Sequence, residues 1–203
     1  CSSDLSEMWE WHTGKTFELP SMDDSALEAC QWGSANEENA RATYAHYVLK
    51  QHPNARFLEA GYHRLDGDLH FCGVTPDGIA QIGSQRSAVE FKCPFFGSTG
   101  RSPECDKNFR ASYVLQVHAE MKVTDAEVAD LLSWDPDTSY HFELKFNHEL
   151  WQKMQDWILH YSSCSEAPVL CEQTREIKRL ALEIAQEATR NAVAYPSLRA
   201  NRA

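Results

Sequence analysis

Two acidic residues and a lysine stand at a spacing that could support hydrolysis at phosphorus. Asp77 follows Thr75-Pro76 in a turn-like stretch, whereas Glu90 and Lys92 lie two residues apart in a strand-like run. Residues two apart in a strand point to the same face, and neighbouring strands lie about 4.8 Å apart. The three side chains can therefore converge. Two carboxylates suit Mg²⁺, which prefers oxygen ligands and keeps several waters.

Neighbouring residues could complete such a centre. The backbone carbonyl of Phe91 could add a ligand, and Lys92 would orient the water that attacks phosphorus. Glu37, on a preceding helix, would hold a second metal ion or its water shell. Mn²⁺ could take the place of Mg²⁺, since both accept carboxylate, carbonyl and water ligands.

Each of these residues also has an ordinary structural interpretation. Ser34-x-x-Glu37 matches a capping box at a helix start. Thr75-Pro76-Asp77-Gly78 matches a β-turn with proline at its second position. Glu90 and Lys92 could form a solvated strand face. The combination favours the metal site, because the turn and the strand bring the acidic side chains together.

The elements that must position these residues predict an α/β (α+β) fold with a central mixed sheet flanked by helices. Helices are predicted over residues 25–51, with a break at Trp32-Gly33, and over 113–122, 148–161 and 171–193. Four short runs between 57 and 94, one ending in the hairpin pair Asp66-Gly67, predict an antiparallel meander. Two more strands flank Asp135-Pro136-Asp137.

This pattern divides the chain into three parts: an irregular arm over 1–24, a domain over 25–161 and a helical extension over 162–203. The C-terminal helix carries an apolar stripe, namely Ile177, Leu180, Ala181, Ile184 and Ala188.

Composition limits the class of protein. Among 203 residues, 30 acidic and 19 basic side chains leave a net charge of −11. That balance argues against one large basic face, but bound cations can reverse the local field at an acidic site. No uncharged run reaches the roughly 18 apolar residues of a membrane span. Seven cysteines without a C-x-x-C pair predict an intracellular, reducing compartment, the cytoplasm or the nucleus.

Several ordered motifs resemble the λ-exonuclease branch of the PD-(D/E)xK nuclease superfamily, also called the YqaJ viral recombinase family. Asp77 and Glu90-x-Lys92 match the superfamily core, and WGSANEENA over 32–40 is similar to the family's G-x-x-x-E-x-x-A helix. GVTPDGIA, VEFKCP, YVLQVHAEM and FNHELWQKM resemble the motifs that follow. The resemblance covers about residues 30–161 and implies a restriction-endonuclease-like core.

The resemblance implies a Mg²⁺-dependent exonuclease that digests one strand of linear double-stranded DNA from its 5′ end. Its products would be mononucleotides and a 3′ single-stranded tail for recombination. Double-stranded DNA ends are the implied substrate. Relatives form ring-shaped trimers around DNA, so a homotrimer is a further implication, and a single-strand annealing protein is a partner by analogy.

Site roles also follow from the resemblance. Asp77 and Glu90 would be metal ligands and Lys92 the water-activating group. Glu37 would assist at the metal, and Gln116 would contact its water shell or the DNA backbone. Thr75 stands where the family has a small hydroxyl residue beside a phosphate, and Arg101, Lys107 and Arg110 cluster in the loop before the Gln116 helix, where they could guide the DNA backbone. A solvated surface loop is the alternative for the three basic residues.

The chain departs from the family pattern at two places. His118 stands where many members have a second glutamine. Because it lies two positions from Gln116, helical geometry predicts a packing or surface role, whereas Glu120 shares the Gln116 face. Residues 1–29 contain no match to the family's basic residue for a 5′-phosphate, so strict dependence on that phosphate is not predicted.

Three other functions remain open at this point. A structure-specific endonuclease would use the same core residues. An iron–sulfur nuclease would need four cysteines around one cluster, and only Cys164 and Cys171 form a close pair. A non-catalytic DNA-binding domain would have no reason to keep converging carboxylates that repel one another.

Overall fold

The computed structural model describes residues 23–95, 109–164 and 172–200. Within them the helices are α1 (Asp24–Tyr47), α2 (Ala111–Thr124), α3 (His148–Ser163) and α4 (Glu172–Asn191). The strands are β1 (Arg56–Leu58), β2 (His63–Arg64), β3 (Gly73–Val74), β4 (Gly78–Ile82), β5 (Gln85–Lys92), β6 (Val128–Ser133), β7 (Thr138–Lys145) and β8 (Val193–Pro196).

A six-stranded mixed sheet forms the centre, in the order β1-β4-β5-β6-β7-β8. The β5–β6 pair is parallel, and the other neighbours run antiparallel. The parallel pair follows from the intervening helix α2, because parallel strands require a long crossover connection. The central strand β5 thus has its hairpin partner β4 on one side and the crossover strand β6 on the other.

Helices cover both faces of this sheet, and the side chains of β5 point alternately to one face and the other. Val89 and Phe91 pack with Ala40 and Tyr44 of α1. Ala88 packs on the other face with α2, α3 and α4. Glu90 and Lys92 belong to the Ala88 face by the two-residue period of a strand. The pleat therefore directs both side chains toward α2.

Helix α1 runs without interruption, so the predicted break at Trp32-Gly33 is wrong. Asp23 caps its start by accepting a hydrogen bond from Ala26 N at 2.7 Å. The capping-box interpretation of Ser34 and Glu37 is therefore wrong as well, since both lie inside the helix. A glycine costs only about 1 kcal/mol within a helix. Burial of the helix against the sheet at Ala40, Thr43 and Tyr44 is sufficient to offset that cost.

The predicted antiparallel meander divides into two sheets. β1, β4 and β5 join the central sheet, whereas β2 and β3 form a separate two-stranded sheet. Asp66-Gly67 is not a two-residue hairpin, because Gly67–Leu69 forms a 3₁₀ turn within a longer connection. Leu65 and Leu69 are buried in the main core, and burying both requires the longer connection.

The C-terminal segment is part of the same packing. The α4 stripe buries Ile177, Leu180, Ala181, Ala185 and Ala188, so four of the five predicted stripe residues are buried and Ile184 is partly buried. Strand β8, which the sequence analysis missed, pairs with β7 at the sheet edge. Among the described helices, none combines the length and apolar character needed to cross a membrane.

Candidate active site

The β4–β5 hairpin brings the two predicted acidic residues together. Asp77 immediately precedes β4, and Gly78 pairs with Val89 across the hairpin. The Phe91 amide donates a hydrogen bond to Asp77 Oδ2 at 2.6 Å, which ties this carboxylate to the strand that carries Glu90. Glycine at position 78 leaves room for the ring of Phe57, because an added Cβ would lie 2.1 Å from that ring and displace it.

Three polar side chains form a hydrogen-bonded cluster on the α2 side of β5. Lys92 Nζ donates to Glu90 Oε1 at 2.5 Å and to Gln116 Oε1 at 2.9 Å. Gln116 Nε2 donates to the same Glu90 oxygen at 2.7 Å. Its amide orientation is therefore defined, because its oxygen faces an ammonium and its nitrogen faces a carboxylate. The predicted proximity of Glu90 and Lys92 is therefore present in the structure, and Gln116, predicted to contact the water shell or the DNA backbone, contacts both of them.

Glu120 is a member of this cluster that was absent from the predicted site. It lies one turn after Gln116 on α2, is 1% exposed, and accepts a hydrogen bond from Gln116 Nε2 at 2.8 Å. Burial, reinforced by the Glu90 charge, raises the pKa of Glu120 to about 9. The sequence signal was the four-residue spacing from Gln116, but spacing alone does not distinguish a buried helix face from an exposed one.

The charges in the site act strongly on one another. Burial, followed by repulsion from Glu90, raises the pKa of Asp77 to about 7. Burial works to lower the pKa of Lys92, yet attraction to Glu90 outweighs it and the net shift is upward. Lys92 is therefore a cation at neutral pH. The Cys93 thiol has its pKa raised to about 12 by burial and then by Glu37 and Asp77.

Glu37 lies near the cluster without a hydrogen bond to it. From α1, its charge adds a small contribution to the raised pKa of Asp77. Its own partner is Arg41, whose Nη2 lies 3.6 Å from Glu37 Oε1, and its side chain is 43% exposed. The carboxylate is thus at the edge of the site and accessible to solvent.

The predicted DNA contacts are partly within the described chain. Thr75 is exposed, two residues before Asp77. Arg110 is the residue before α2, and its guanidinium lies 5.7 Å from the centre of the Tyr113 ring, while Lys92 Nζ lies 5.2 Å from the same ring. Arg110 is therefore near the catalytic lysine candidate. Arg101 and Lys107 lie outside the described residues.

His118 packs in the core, in agreement with its helical position. It is 0% exposed, its Nδ1 lies 2.7 Å from the Val114 carbonyl, and its Nε2 accepts from Asn147 N at 3.1 Å. A ring held at both nitrogens by the backbone orients α2 against the start of α3.

The donor set fits a divalent cation that needs few protein ligands. Glu90 Oε2 and Glu120 Oε2 are buried and accept no hydrogen bond from a third residue, and protonated Glu120 shares its proton with Glu90. A buried carboxylate oxygen without a partner is costly, and a cation would satisfy it. Asp77 and Glu90 suit Mg²⁺, which uses one or two carboxylates. Within the described ranges, no group of three or more His, Cys, Asp or Glu residues is arranged to hold a metal on its own.

Comparisons with known proteins agree with this geometry. The family model described as the YqaJ-like viral recombinase domain matches residues 2–127. A solved alkaline exonuclease, LHK-Exo, from Laribacter hongkongensis is 19% identical, with a TM-score of 0.54 over 91% of this chain and 84% of that one. Its complex with dAMP matches at the same identity and TM-score over 91% and 85%. No curated protein matches the sequence. The predicted family and fold class are both confirmed.

Proposed function

The chain belongs to the YqaJ-like viral recombinase family, and we propose that it is a divalent-metal-dependent exodeoxyribonuclease acting on ends of double-stranded DNA. One observation carries the proposal. Lys92, Gln116 and Glu90 are joined by hydrogen bonds, while the second Glu90 oxygen is buried and receives no donor other than the neighbouring Glu120 carboxyl. The fold it shares with an alkaline exonuclease supports the same assignment.

The acidic residues of the site are proposed to bind the metal ion. Asp77 and Glu90 would hold the metal, with Glu37 at the solvent-exposed edge and the Phe91 carbonyl as a further ligand. The cation, Mg²⁺ or Mn²⁺, would polarise the scissile phosphodiester and neutralise charge that develops on it. The carboxylates need this partner, because repulsion from Glu90 helps to raise the pKa of Asp77.

Lys92 would orient the attacking water and not remove its proton. Its ammonium already donates to Glu90 and Gln116, and its raised pKa keeps it charged at neutral pH. A charged ammonium can donate but cannot accept a hydrogen bond. Gln116 would hold the Lys92 and Glu90 side chains in fixed positions, since it forms a hydrogen bond with each.

The finer features of the proposal come from the family resemblance: digestion from 5′ to 3′, release of mononucleotides and a 3′ single-stranded tail for recombination. Thr75 and Arg110, with Arg101 and Lys107, would contact the DNA backbone. A homotrimer and a single-strand annealing protein are the proposed partners. An intracellular, reducing compartment is in keeping with the four cysteines in the described residues, which are all free.

The deciding experiment compares a linear 5′-phosphorylated duplex with closed circular duplex, each in Mg²⁺ and in EDTA. We expect only the linear DNA to be digested, only in Mg²⁺, with mononucleotides as product. A label at the 3′ end of a strand should remain in the DNA at first, because digestion begins at the 5′ end. Lys92→Ala serves as the matched inactive variant. Nicking of circles would identify an endonuclease instead, and DNA binding without cleavage in Mg²⁺ or Mn²⁺ would identify a non-catalytic domain.

A further inference from the structure

A cavity of about 630 Å³ lies between α1, the loop after β6 and the tail after β8. Its lining includes Trp32, Asn36 and Asn39 from α1, Trp134 and Pro136 from the loop, and Arg199 from the tail. None of the residues of the carboxylate cluster lines it. Its volume is within the range of cavities that hold small organic ligands.

The asparagines of the cavity satisfy one another and the backbone. Asn36 Nδ2 donates to the Trp32 carbonyl at 2.9 Å, and Asn39 Nδ2 donates to Asn36 Oδ1 at 3.0 Å. Asn39 Oδ1 accepts from the Ala200 amide at 2.8 Å. The Trp134 indole N–H donates to the Leu198 carbonyl at 3.1 Å. These contacts hold the tail against α1 and shape the wall, so the asparagines are engaged in building the cavity.

The side-chain groups of the cavity that have no protein partner are hydrogen-bond donors. Trp32 Nε1 lies just beneath the cavity wall without a hydrogen-bond partner, so a rotation of the ring is needed to present its N–H to a ligand. Arg199 is exposed, and within the described ranges its guanidinium makes no hydrogen bond or ion pair. An indole N–H and a guanidinium can only donate. The cavity therefore selects a hydrogen-bond acceptor, and the arginine charge favours an anion.

Backbone contacts connect this cavity to the catalytic strand. The Trp134 amide donates to the Lys92 carbonyl at 2.7 Å, so the cavity wall begins where β5 ends. The Trp32 ring lies 6.0 Å from the ring of Phe95, three residues beyond Lys92. On α1, Asn36 of the cavity directly precedes Glu37 of the site. Although Glu90 and Lys92 point to the α2 face and the cavity lies on the α1 face, both are at the end of β5, so a polymer that passes this edge of the sheet would meet both.

We propose that this cavity binds a nucleotide of the DNA strand next to the one being cleaved. Arg199 would contact its phosphate, and the Trp32 N–H would donate to a phosphate or base oxygen. The exposed part of the Trp32 ring offers a surface for base stacking, which tolerates any base. This inference rests on the proposed function, since it takes DNA to be the substrate.

The test measures DNA binding in EDTA, so that cleavage plays no part. A fluorescently labelled, 5′-phosphorylated 12-base-pair duplex is titrated with wild-type protein, Arg199→Ala and Trp32→Phe at several salt concentrations. Arg179→Ala is the control, because this exposed arginine lies on α4, across the sheet from α1. Circular dichroism verifies that each variant is folded.

Arg199→Ala should weaken binding about 10-fold, equivalent to about 1.4 kcal/mol. The slope of log affinity against log salt should fall by about one, as for the loss of one phosphate contact. Trp32→Phe keeps an aromatic ring but loses the N–H, so it should weaken binding about 3-fold with an unchanged slope.

Equal affinity and slope for Arg199→Ala and Arg179→Ala would overturn the inference. A wild-type protein that binds the duplex with the predicted Arg199 dependence but never cleaves it would disprove the nuclease proposal and leave this subsite standing. If the wild-type protein does not bind the duplex, both the subsite and the nuclease proposal are contradicted.

Discussion

Two buried acidic clusters lie on opposite faces of the sheet and differ in how completely they are satisfied. On the α1 face, Asp130 accepts from the Tyr44 hydroxyl at 2.7 Å through one oxygen and lies 2.8 Å from His141 Nε2 through the other. On the α2 face, Glu90 and Glu120 each leave one buried oxygen without a donor from a third residue, and the two carboxyls contact each other because Glu120 is protonated. Burial is similar, since Asp130 and Glu90 are both 4% exposed.

The difference separates a cluster that stabilises the fold from the cluster proposed to bind the metal. A satisfied buried network specifies one packing arrangement, whereas an unpaired buried carboxylate destabilises the folded state. The Asp130 network connects α1, β6 and β7, as expected of a structural element. The Glu90 cluster retains unsatisfied capacity at the end of β5, as expected of a site that awaits a cation and substrate.

The largest effect should follow from changing Glu90 to glutamine. The substitution keeps the shape but removes the charge that would hold the metal, so the cleavage rate should fall by about 10³-fold, or about 4 kcal/mol in the barrier. Steady-state digestion of linear duplex in Mg²⁺ measures this loss. Thermal stability in EDTA is measured alongside, because the substitution also weakens the ion pair that Glu90 makes with Lys92. A variant with near wild-type rates would contradict the site assignment.

Asp130→Ala tests the opposite expectation. It leaves the Tyr44 hydroxyl and His141 without their partner, so the free energy of unfolding should fall by about 3 kcal/mol. Urea denaturation in EDTA measures the change. The cleavage rate, assayed well below the melting temperature, should stay within about threefold of wild type. If activity collapses while stability is unchanged, the two clusters have been assigned the wrong roles.

Glu120→Gln tests the electrostatic cost of the active-site cluster. The pKa of Glu120 is raised in the folded protein, so folding favours its protonated form, and stability declines as the pH rises from about 4.5 to about 9. The glutamine variant lacks this decline. It should be more stable than wild type by about 1–3 kcal/mol at pH 9, and nearly equal to it at pH 4.5.

Melting temperatures from pH 4.5 to 9 in EDTA measure this difference. Glu143→Gln, an exposed change of the same type on β7, is the control and should show no such divergence. A wild-type protein that becomes more stable than Glu120→Gln above pH 7 would show that Glu120 is ionised and paired in the folded state.

The smallest effect concerns a single hydroxyl. Tyr44→Phe removes the hydrogen bond to Asp130 and should lower the free energy of unfolding by about 1 kcal/mol. Tyr47→Phe is the matched control three residues along α1. The Tyr47 ring stacks on Tyr195 at 4.8 Å, and within the described chain its hydroxyl has no hydrogen bond, so stability should not change. Equal effects of the two substitutions would show that the hydrogen bond of the Tyr44 hydroxyl does not stabilise the fold.

How far the sequence predicted the site depends on the distance between partners along the chain. Asp77, Glu90 and Lys92 belong to one hairpin, where strand period and pairing make convergence a local consequence. Gln116 came from the motif order and the family resemblance. Glu120 was seen only as a residue on the same helix face, because its burial depends on α2 packing against the sheet.

The Asp130 network had no sequence signal. Tyr44 and Asp130 are 86 residues apart, and nothing in either local pattern indicates the other. Helix α1 was also predicted with a break, since local propensity at Trp32-Gly33 does not include the energy of burying the helix against β5. Strand β8 was missed because its pairing partner β7 supplies the reason for its extended conformation.

The order of residue types along the chain was enough to determine the family, the mixed α/β architecture and a carboxylate pair next to a lysine. These are properties of short segments, where turn chemistry and side-chain period act over a few residues. Only the tertiary structure decided which carboxylates are buried, which of their oxygens lack partners, and which side chains enclose the cavity beside β5. Such properties depend on the exclusion of water by segments far apart in sequence, and that exclusion exists only once the sheet and its helices have packed.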